Sequence, residues 1–496
     1  MGIRLYGTAR RMMSELGPVW RALSWNSFAT GGKVILGFVR ALILARLLSP
    51  DDYGLFGLST VLLTAVSSFT NLRLSSSFIV RKFNSTAERN AFLNTVWTAD
   101  LARFSIISVL VLATAHHAAA YMGDARLAGI LLITGLTPLV NGFTNIGLSV
   151  LQKEINFKRL SLQALAVEVM QFVIGIGLAL VFRNVWAMVW TQLAIAAFSV
   201  LASYVVHPFR PRFAFDRTAF FQAFGYGKHL LLTGILTFFT TQFDNFAVGR
   251  YLGAATLGAY LVAYRLATLP VEILSEVSDP VLFSVYAKAH IEDPASLRRM
   301  FLSASNGIAL LLILAAIGMH SVAHDAIVLL YGAKWTSAVP MLEALAAVGL
   351  MRGMSRTTSS ILLATGRSGL DAIGKCVEAG IFVPSTVVLV QRYGPAGAAA
   401  AGALSYGIGA LVRSGLVMKL IPELRRPFAS SMAFQAVLGL AAFAAILALR
   451  VYMHGLFAAA LVLPLYAAAV IFLTPPLRSY ARAFGSRNAS CVSAGG

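Results

Sequence analysis

A chain of 496 residues that is 58% hydrophobic and only 12% charged, with a mean hydropathy of +0.76, lies outside the range of water-soluble domains. A net charge of +20 would suit nucleic acid if it formed a basic face on a soluble domain, but no interval between apolar runs exceeds about 20 residues. The same shortage of aqueous chain leaves no place for a soluble catalytic domain, and no G-x-x-x-x-G-K-[ST] occurs. The two cysteines, Cys376 and Cys491, offer no disulfide framework.

Apolar windows of about 20 residues, long enough for about 30 Å of hydrocarbon, recur along the chain. They predict an all-α polytopic membrane protein of about 14 transmembrane helices: 24–48, 53–79, 92–115, 127–151, 160–182, 185–206, 224–249, 257–286, 300–320, 336–364, 369–391, 396–420, 432–451 and 455–474. The first is too long for a signal-peptide core and is read as a retained span. Between the first two, Ser49-Pro50-Asp51-Asp52 reads as a helix start, with Ser as N-cap, Pro where no N–H is needed, and acids against the helix dipole. Phe209 to Phe224, where Arg and Phe alternate, reads as an amphipathic linker at the headgroup level, and 476–496 as a disordered tail. His116, His117 and His324 lack clustered partners, so no metal site is expected. With both termini cytoplasmic and helix-end residues counted in the adjoining loops, 23 of the 40 Lys and Arg are cytoplasmic, 7 lie opposite and 10 are inside helices.

The chain repeats itself. Ala45–Val61 aligns with Gly249–Arg265 at an offset of 204, matching Arg46 to Arg250, Leu48 to Leu252 and Gly54 to Gly258. Near Val167 and Val377 the offset is 210, with Glu168 over Glu378 and Phe172 over Phe382. This predicts two pseudo-symmetric six-helix lobes, 1–206 and 224–420, joined by a linker at 207–223 and followed by two additional helices at 421–475. An even number of helices per lobe makes the repeats parallel, a geometry suited to alternating access. Asp51 and Asp52 fall opposite Ala255 and Thr256, so the turn does not require the acids.

"ILARLLSPDDYGLFGL" and the longer "FDNFAVGRYLGAATLGAYLVAYRLATLPVEILSEVSDPVLF" from Phe243 closely resemble the Wzx-like oligosaccharide flippases, the polysaccharide branch of the MOP superfamily, over roughly residues 20 to 420. The resemblance implies translocation of undecaprenyl-diphosphate-linked oligosaccharide across the bacterial inner membrane, for exopolysaccharide or O-antigen synthesis. It implies no catalytic residues, because flipping breaks no bond. Partners would be the lipid-linked glycan, the bilayer and a polysaccharide polymerase, with the chain acting as a monomer. No cofactor is expected beyond a proton or sodium gradient. A multidrug or peptidoglycan-precursor exporter on the same scaffold is the alternative; a membrane glycosyltransferase or polymerase fits less well, because those enzymes carry large outer loops.

On that reading the charges inside helices acquire roles. Each cation facing lipid would cost about 2.5–3.5 kcal/mol, so most must face water, a partner or an anion. Asn26, Thr30, Lys33, Gly37 and Arg40 share one helix face by their spacing. An offset of 204 sets Thr237 opposite Lys33 and Asp244 opposite Arg40; one of 211 sets Arg352 and Arg356 opposite Asn141 and Asn145. The expected substrate site is Lys33, Arg40, Arg265, Arg352 and Arg356 for the diphosphate, with Asn26, Asn141 and Asn145 for sugar hydroxyls. Asp244 and Glu168 are the candidates for gating or ion coupling, with an Arg40–Asp244 pair as the sharpest form of the gate. The competing expectation is that some cations are structural, paired with acids such as Asp100, Glu168, Asp279 and Glu378. For Arg73, Lys228 and Lys375 snorkelling or such pairing is the expectation.

Overall fold

The computed structural model describes residues 29–72, 74–154, 156–450 and 455–473, so that Asn26, Arg73 and the tail lie outside the described residues. Among the described residues all regular structure is helical: α1 (29–47), α2 (Pro50–Thr70), α3 (Leu74–Val80), α4 (Thr86–Met122), α5 (Arg126–Thr134), α6 (Leu136–Gly142), α7 (Gly147–Lys153), α8 (Phe157–Phe182) and α9 (Trp186–Val206) come first. There follow α10 (Arg217–Thr241), α11 (Phe243–Leu252), α12 (Ala254–Glu292), α13 (Pro294–Ser321), α14 (Ala323–Leu330), α15 (Val339–Ala364), α16 (Ser368–Leu420), α17 (Arg425–Leu449) and α18 (Gly455–Leu473). Nine described helices are long and apolar enough to cross a membrane, or ten if the bent pair Arg126–Gly142 and Gly147–Lys153 is one span. Their outer faces stay apolar: Val173, Leu180 and Val181 on α8 are 58%, 53% and 75% exposed. Such surface needs lipid as its solvent, and the chain is a multi-pass membrane protein.

Contacts divide the chain into two compact units, one of Met1–Phe238 with Gly253–Gly258, the other of Phe239–Leu252 with Ala259–Gly496. A core of the first gathers Phe78, Phe92, Leu93, Trp97 and Ile146; the second has one around Ile313, Ile446 and Tyr466 and another around Tyr286, Phe301 and Phe428.

Several expected helices, 53–79 among them because it divides into α2 and α3, differ in ways that hydrophobic periodicity cannot register, because it reports side-chain polarity and not backbone bonding. The span expected at 127–151 is broken into α5, α6 and α7, with a 60° bend before Gly147. Asn145 holds that bend: its Nδ2 donates to the carbonyls of His207 (3.1 Å) and Phe209 (2.8 Å), and its Oδ1 accepts from Gly147 N–H at 2.8 Å. The helix expected at 224–249 starts earlier, at Arg217, and breaks at Gln242; Tyr406 Oη donates to the Thr240 carbonyl at the break, at 2.6 Å. The helices expected at 369–391 and 396–420 run on as α16 across a kink at Gly394 (φ 63°, ψ −145°), a conformation open to glycine, with Pro395 after it.

The Ser49 turn forms as its residues predict. Ser49 caps α2, accepting from Asp52 N–H at 3.2 Å, while the Asp52 carboxylate accepts from Ser49 N–H at 3.0 Å, completing a capping box. The acids also do what a local reading does not show. Asp51 accepts from both Nη atoms of Arg126 (2.6 and 3.2 Å), and Asp52 Oδ1 accepts from Val185 N–H at 2.8 Å. One turn thus ties down the turns before α5 and α9.

The repeat leaves a physical trace inside the first unit. A Cβ built on Gly54 would overlap the Ala254 carbonyl, and one on Gly258 would overlap the Pro50 carbonyl. Exchanging i with i + 204 maps this contact onto itself, as in an isologous interface.

The linker carries no regular structure from 207 to 216 before α10 starts, so the Arg/Phe alternation there does not form a helical face. It is strapped along α4: Arg212 N–H donates to Asn94, Ala214 N–H to Thr98 and Asp216 N–H to Thr95. Burial pushes the His207 imidazole below its usual value, outweighing Glu154, so Nδ1 remains an acceptor for Phe209 N–H at 3.1 Å. A base whose folded value is depressed binds its proton more readily unfolded. Its contribution to stability is present above the unfolded value of 6.5 and is lost as pH falls through the lower folded one. Melting curves in detergent at pH 7 and pH 5 are expected to show a larger acid loss for the native protein than for His207→Asn; equal losses would refute the assignment.

Candidate functional site

In the first unit, Arg40 on α1 and Glu168 on α8 form an ion pair at 2.9 Å, each about one-sixth exposed. In the second, Asp244 lies at the start of α11, 4% exposed, where the helix break turns backbone N–H groups outward. It accepts from Asn245 N–H and from Tyr260 Oη, both at 2.9 Å. Arg40 and Asp244, expected as a gating pair, fall in different units, and each has a partner within its own: Glu168 for the first and Tyr260 for the second.

Arg352 on α15 donates from Nη1 to Tyr264 Oη at 3.1 Å. Tyr260 and Tyr264, one helical turn apart on α12 with ring centroids 6.0 Å apart, thus serve the acid and the arginine respectively. Sequence reasoning passed over these tyrosines, although their spacing of four was visible beside the acid. Arg356, one turn beyond Arg352, pairs with Asp279 at 3.2 Å in a half-exposed site. Arg265 is exposed and Lys33 half-buried. Among the described residues no carboxylate stands within ion-pair distance of Lys33, Arg265 or Arg352.

Asp244 and Arg352 thus have tyrosine partners one turn apart on α12, and the other candidates differ in environment. Asn145 is 1% exposed and both donors of its amide are used by carbonyls, so it serves the bend of the chain. Asn141 lies on the wall of a polar pocket of about 410 Å³ in the first unit. Asn26 lies outside the described residues. In the second unit an almost wholly apolar pocket of about 400 Å³ opens between α13, α15 and α17, lined by Leu350, Met351, Met354, Met432 and Phe443.

Glu168 and Glu378, matched by the repeat, both accept an arginine, but not the equivalent one. Glu168 takes Arg40; Glu378 takes Arg413, at 2.5 and 3.1 Å, together with Ser355. Arg413 also reaches Asp371 at 3.0 Å, which Lys375 approaches at 3.4 Å. Arg413, Asp371, Glu378 and Ser355 are buried, and Gly374 and Gly409 leave room for them: a Cβ on the first would lie 2.6 Å from Arg413 Nε, and one on the second would overlap Glu378.

Known proteins share both sequence and fold with this chain. It is 24% identical over 379 residues to the lipopolysaccharide biosynthesis protein WzxC of Escherichia coli K12, covering 75% of each chain. With the succinoglycan biosynthesis transport protein ExoT of Rhizobium meliloti it shares 27% over 332 residues, 66% of this chain and 65% of that one. Among solved structures, the lipid II flippase MurJ in an inward closed conformation superposes with a TM-score of 0.68 at 17% identity, over 90% of this chain and 98% of that one. An inward-facing multidrug MATE transporter of the MOP superfamily gives 0.64 at 15%, over 79% and 96%. These two establish the fold. A family model described as polysaccharide biosynthesis protein matches residues 43–340, well over half the chain, and the protein belongs to that family.

Proposed function

We propose that this protein is a flippase, not an enzyme, and that it carries undecaprenyl-diphosphate-linked oligosaccharide repeat units across the bacterial inner membrane by alternating access for exopolysaccharide or O-antigen synthesis. The observation that carries this reading is Arg352. Its guanidinium sits on a helix of a membrane protein, held by a tyrosine hydroxyl and not by a carboxylate in ion-pair contact. A cation so placed costs about 2.5–3.5 kcal/mol against lipid and is stabilised by an anion, for which the arginine fork suits a diphosphate. Arg265, on α12 of the same unit, would add to its field, and Lys33 is the candidate cation of the first unit. The apolar pocket between α13, α15 and α17 offers a polyprenyl chain a surface of its own kind.

Family membership and the relatives' roles in lipopolysaccharide and succinoglycan synthesis support this substrate class over the multidrug substrates of MATE proteins. On this reading there are fourteen passes in two six-helix lobes plus two helices, both termini cytoplasmic, and one chain suffices for transport beside a polymerase. Asp244, buried at a helix break and bonded to Tyr260, one helical turn from the Tyr264 that holds Arg352, is the coupling carboxylate. It would exchange a proton or sodium ion as the arginine gains and loses phosphate, and Glu168 is the second candidate.

A strain lacking the protein should accumulate lipid-linked glycan in the inner leaflet. Arg352→Gln, expressed at native level, should restore no more than about a tenth of the flux, one tenfold step being about 1.4 kcal/mol. Full restoration would overturn the role of Arg352, and no accumulation in the deletion strain would overturn the flippase reading.

A further inference from the structure

The polar pocket of the first unit opens where α6 gives way to α7, facing α4. Its volume of about 410 Å³ falls within the range of small-molecule sites, about 300–1,000 Å³. Three features of its wall point to one chemistry.

Trp97 lines the pocket and is 5% exposed, and its Nε1–H is buried without an acceptor. A buried donor left unmade costs about 1–3 kcal/mol, so an acceptor delivered there is rewarded. Asp100 and Arg103, one turn apart on α4, pair through Oδ1 and Nε at 3.2 Å. That geometry leaves Asp100 Oδ2 and the two Nη groups as neighbouring acceptor and donors, the arrangement that two adjacent hydroxyls can satisfy together. The Arg103 guanidinium also stacks over the Phe104 ring at 4.1 Å, which fixes its plane. Across the pocket, the Asn141 side chain supplies both an acceptor and a donor.

The charge balance decides what kind of ligand fits. Asp100 and Arg103 cancel, so an anion gains nothing that the carboxylate does not take back, and a cation fares the same with the guanidinium. A neutral, hydroxyl-rich molecule with an apolar face suits a wall of indole, phenyl, amide and ion pair. We infer that this pocket is a recognition subsite for one neutral sugar of the glycan, read through its vicinal hydroxyls by Asp100, Arg103 and Asn141, with Trp97 donating to a further oxygen. It belongs to the first unit, and it makes the glycan, not only its diphosphate, a determinant of what is carried. The inference rests on the flippase reading above.

Native mass spectrometry of the purified full chain in detergent tests it, with undecaprenyl diphosphate as one probe. The others are undecaprenyl diphosphate bearing a single glucose, galactose, N-acetylglucosamine or rhamnose. The wild type should bind at least one glycosylated probe about tenfold more tightly than the bare lipid. Trp97→Phe, which keeps an aromatic ring and removes the N–H, and Asp100→Asn should each shrink that advantage to threefold or less. Affinity for the bare lipid should stay within twofold. Asn141→Ala, on the less buried wall, gives the same reading if Trp97→Phe elutes as an aggregate. An advantage that survives in the variants, an equal loss for all probes, or no advantage in the wild type overturns the subsite while leaving the flippase reading intact. Failure of the wild type to bind even the bare lipid overturns both.

Discussion

Arg413→Met is expected to be the most damaging single substitution in the second unit. Arg413 is 2% exposed, and its removal strands Asp371 and Glu378, themselves 3% and 5% exposed, without their shared cation. Breaking a buried pair by deleting one partner costs about 3–5 kcal/mol, because the remaining charge stays desolvated. Lys375 touches only Asp371, so Glu378 bears most of the loss. The network also joins the two halves of α16 across the Gly394 kink, since Asp371 and Glu378 precede it and Arg413 follows it. The neutral triple variant Arg413→Met/Asp371→Asn/Glu378→Gln should recover most of the stability, as the buried charge is then gone altogether. Melting of the detergent-purified protein followed by size exclusion checks both statements. If Arg413→Met melts with the wild type, or if the triple variant is the less stable of the two, the network is not what joins α16.

Gly54→Ala and Gly258→Ala are expected to be damaging out of proportion to one methyl group. The Cβ itself meets a backbone carbonyl in each case, Ala254 for one and Pro50 for the other, so no rotamer change relieves the clash. The helix starts must separate, at a cost of about 1–3 kcal/mol for overpacking. Because both substitutions open the same contact, the double variant should cost clearly less than the sum of the singles. Strict additivity in a double-mutant cycle, or a neutral Gly54→Ala, would show that the close approach does not exist.

These two cases mark different degrees of legibility. Gly54 and Gly258 could be matched by eye through the offset of 204, yet nothing in an alignment of one half with the other says that the two copies touch. Arg413 was visible as a cation within an apolar run, and Glu378 was visible as the copy of Glu168. Their pairing was not, because the partners lie 35 residues apart on the two sides of a kink. The Arg40–Glu168 pair was hidden for the same reason: equivalence under a repeat places residues at corresponding positions, whereas charge pairing depends on which side chains actually approach. Asn145 shows the converse. Its spacing from Asn141 suggested a sugar-facing stripe, but the helix ends between them at Gly142, and the amide turns to carbonyls of the linker.

The sequence by itself determined what solvent this chain lives in, that it is helical, that it is internally repeated, which motifs tie it to its family, and how the Ser49 turn is capped. Each of these depends on composition or on residues within a few positions of one another, where propensity, spacing and capping chemistry act directly. Only the tertiary structure decided where helices break and which charge meets which. It also decided that Asp244 meets Tyr260 while Arg352 meets Tyr264, and that Trp97, Asp100, Arg103 and Asn141 surround one pocket. Such pairings are set by packing between helices far apart in the chain, and in a low-dielectric interior an approach of a few ångströms separates a stable pair from an unpaired charge.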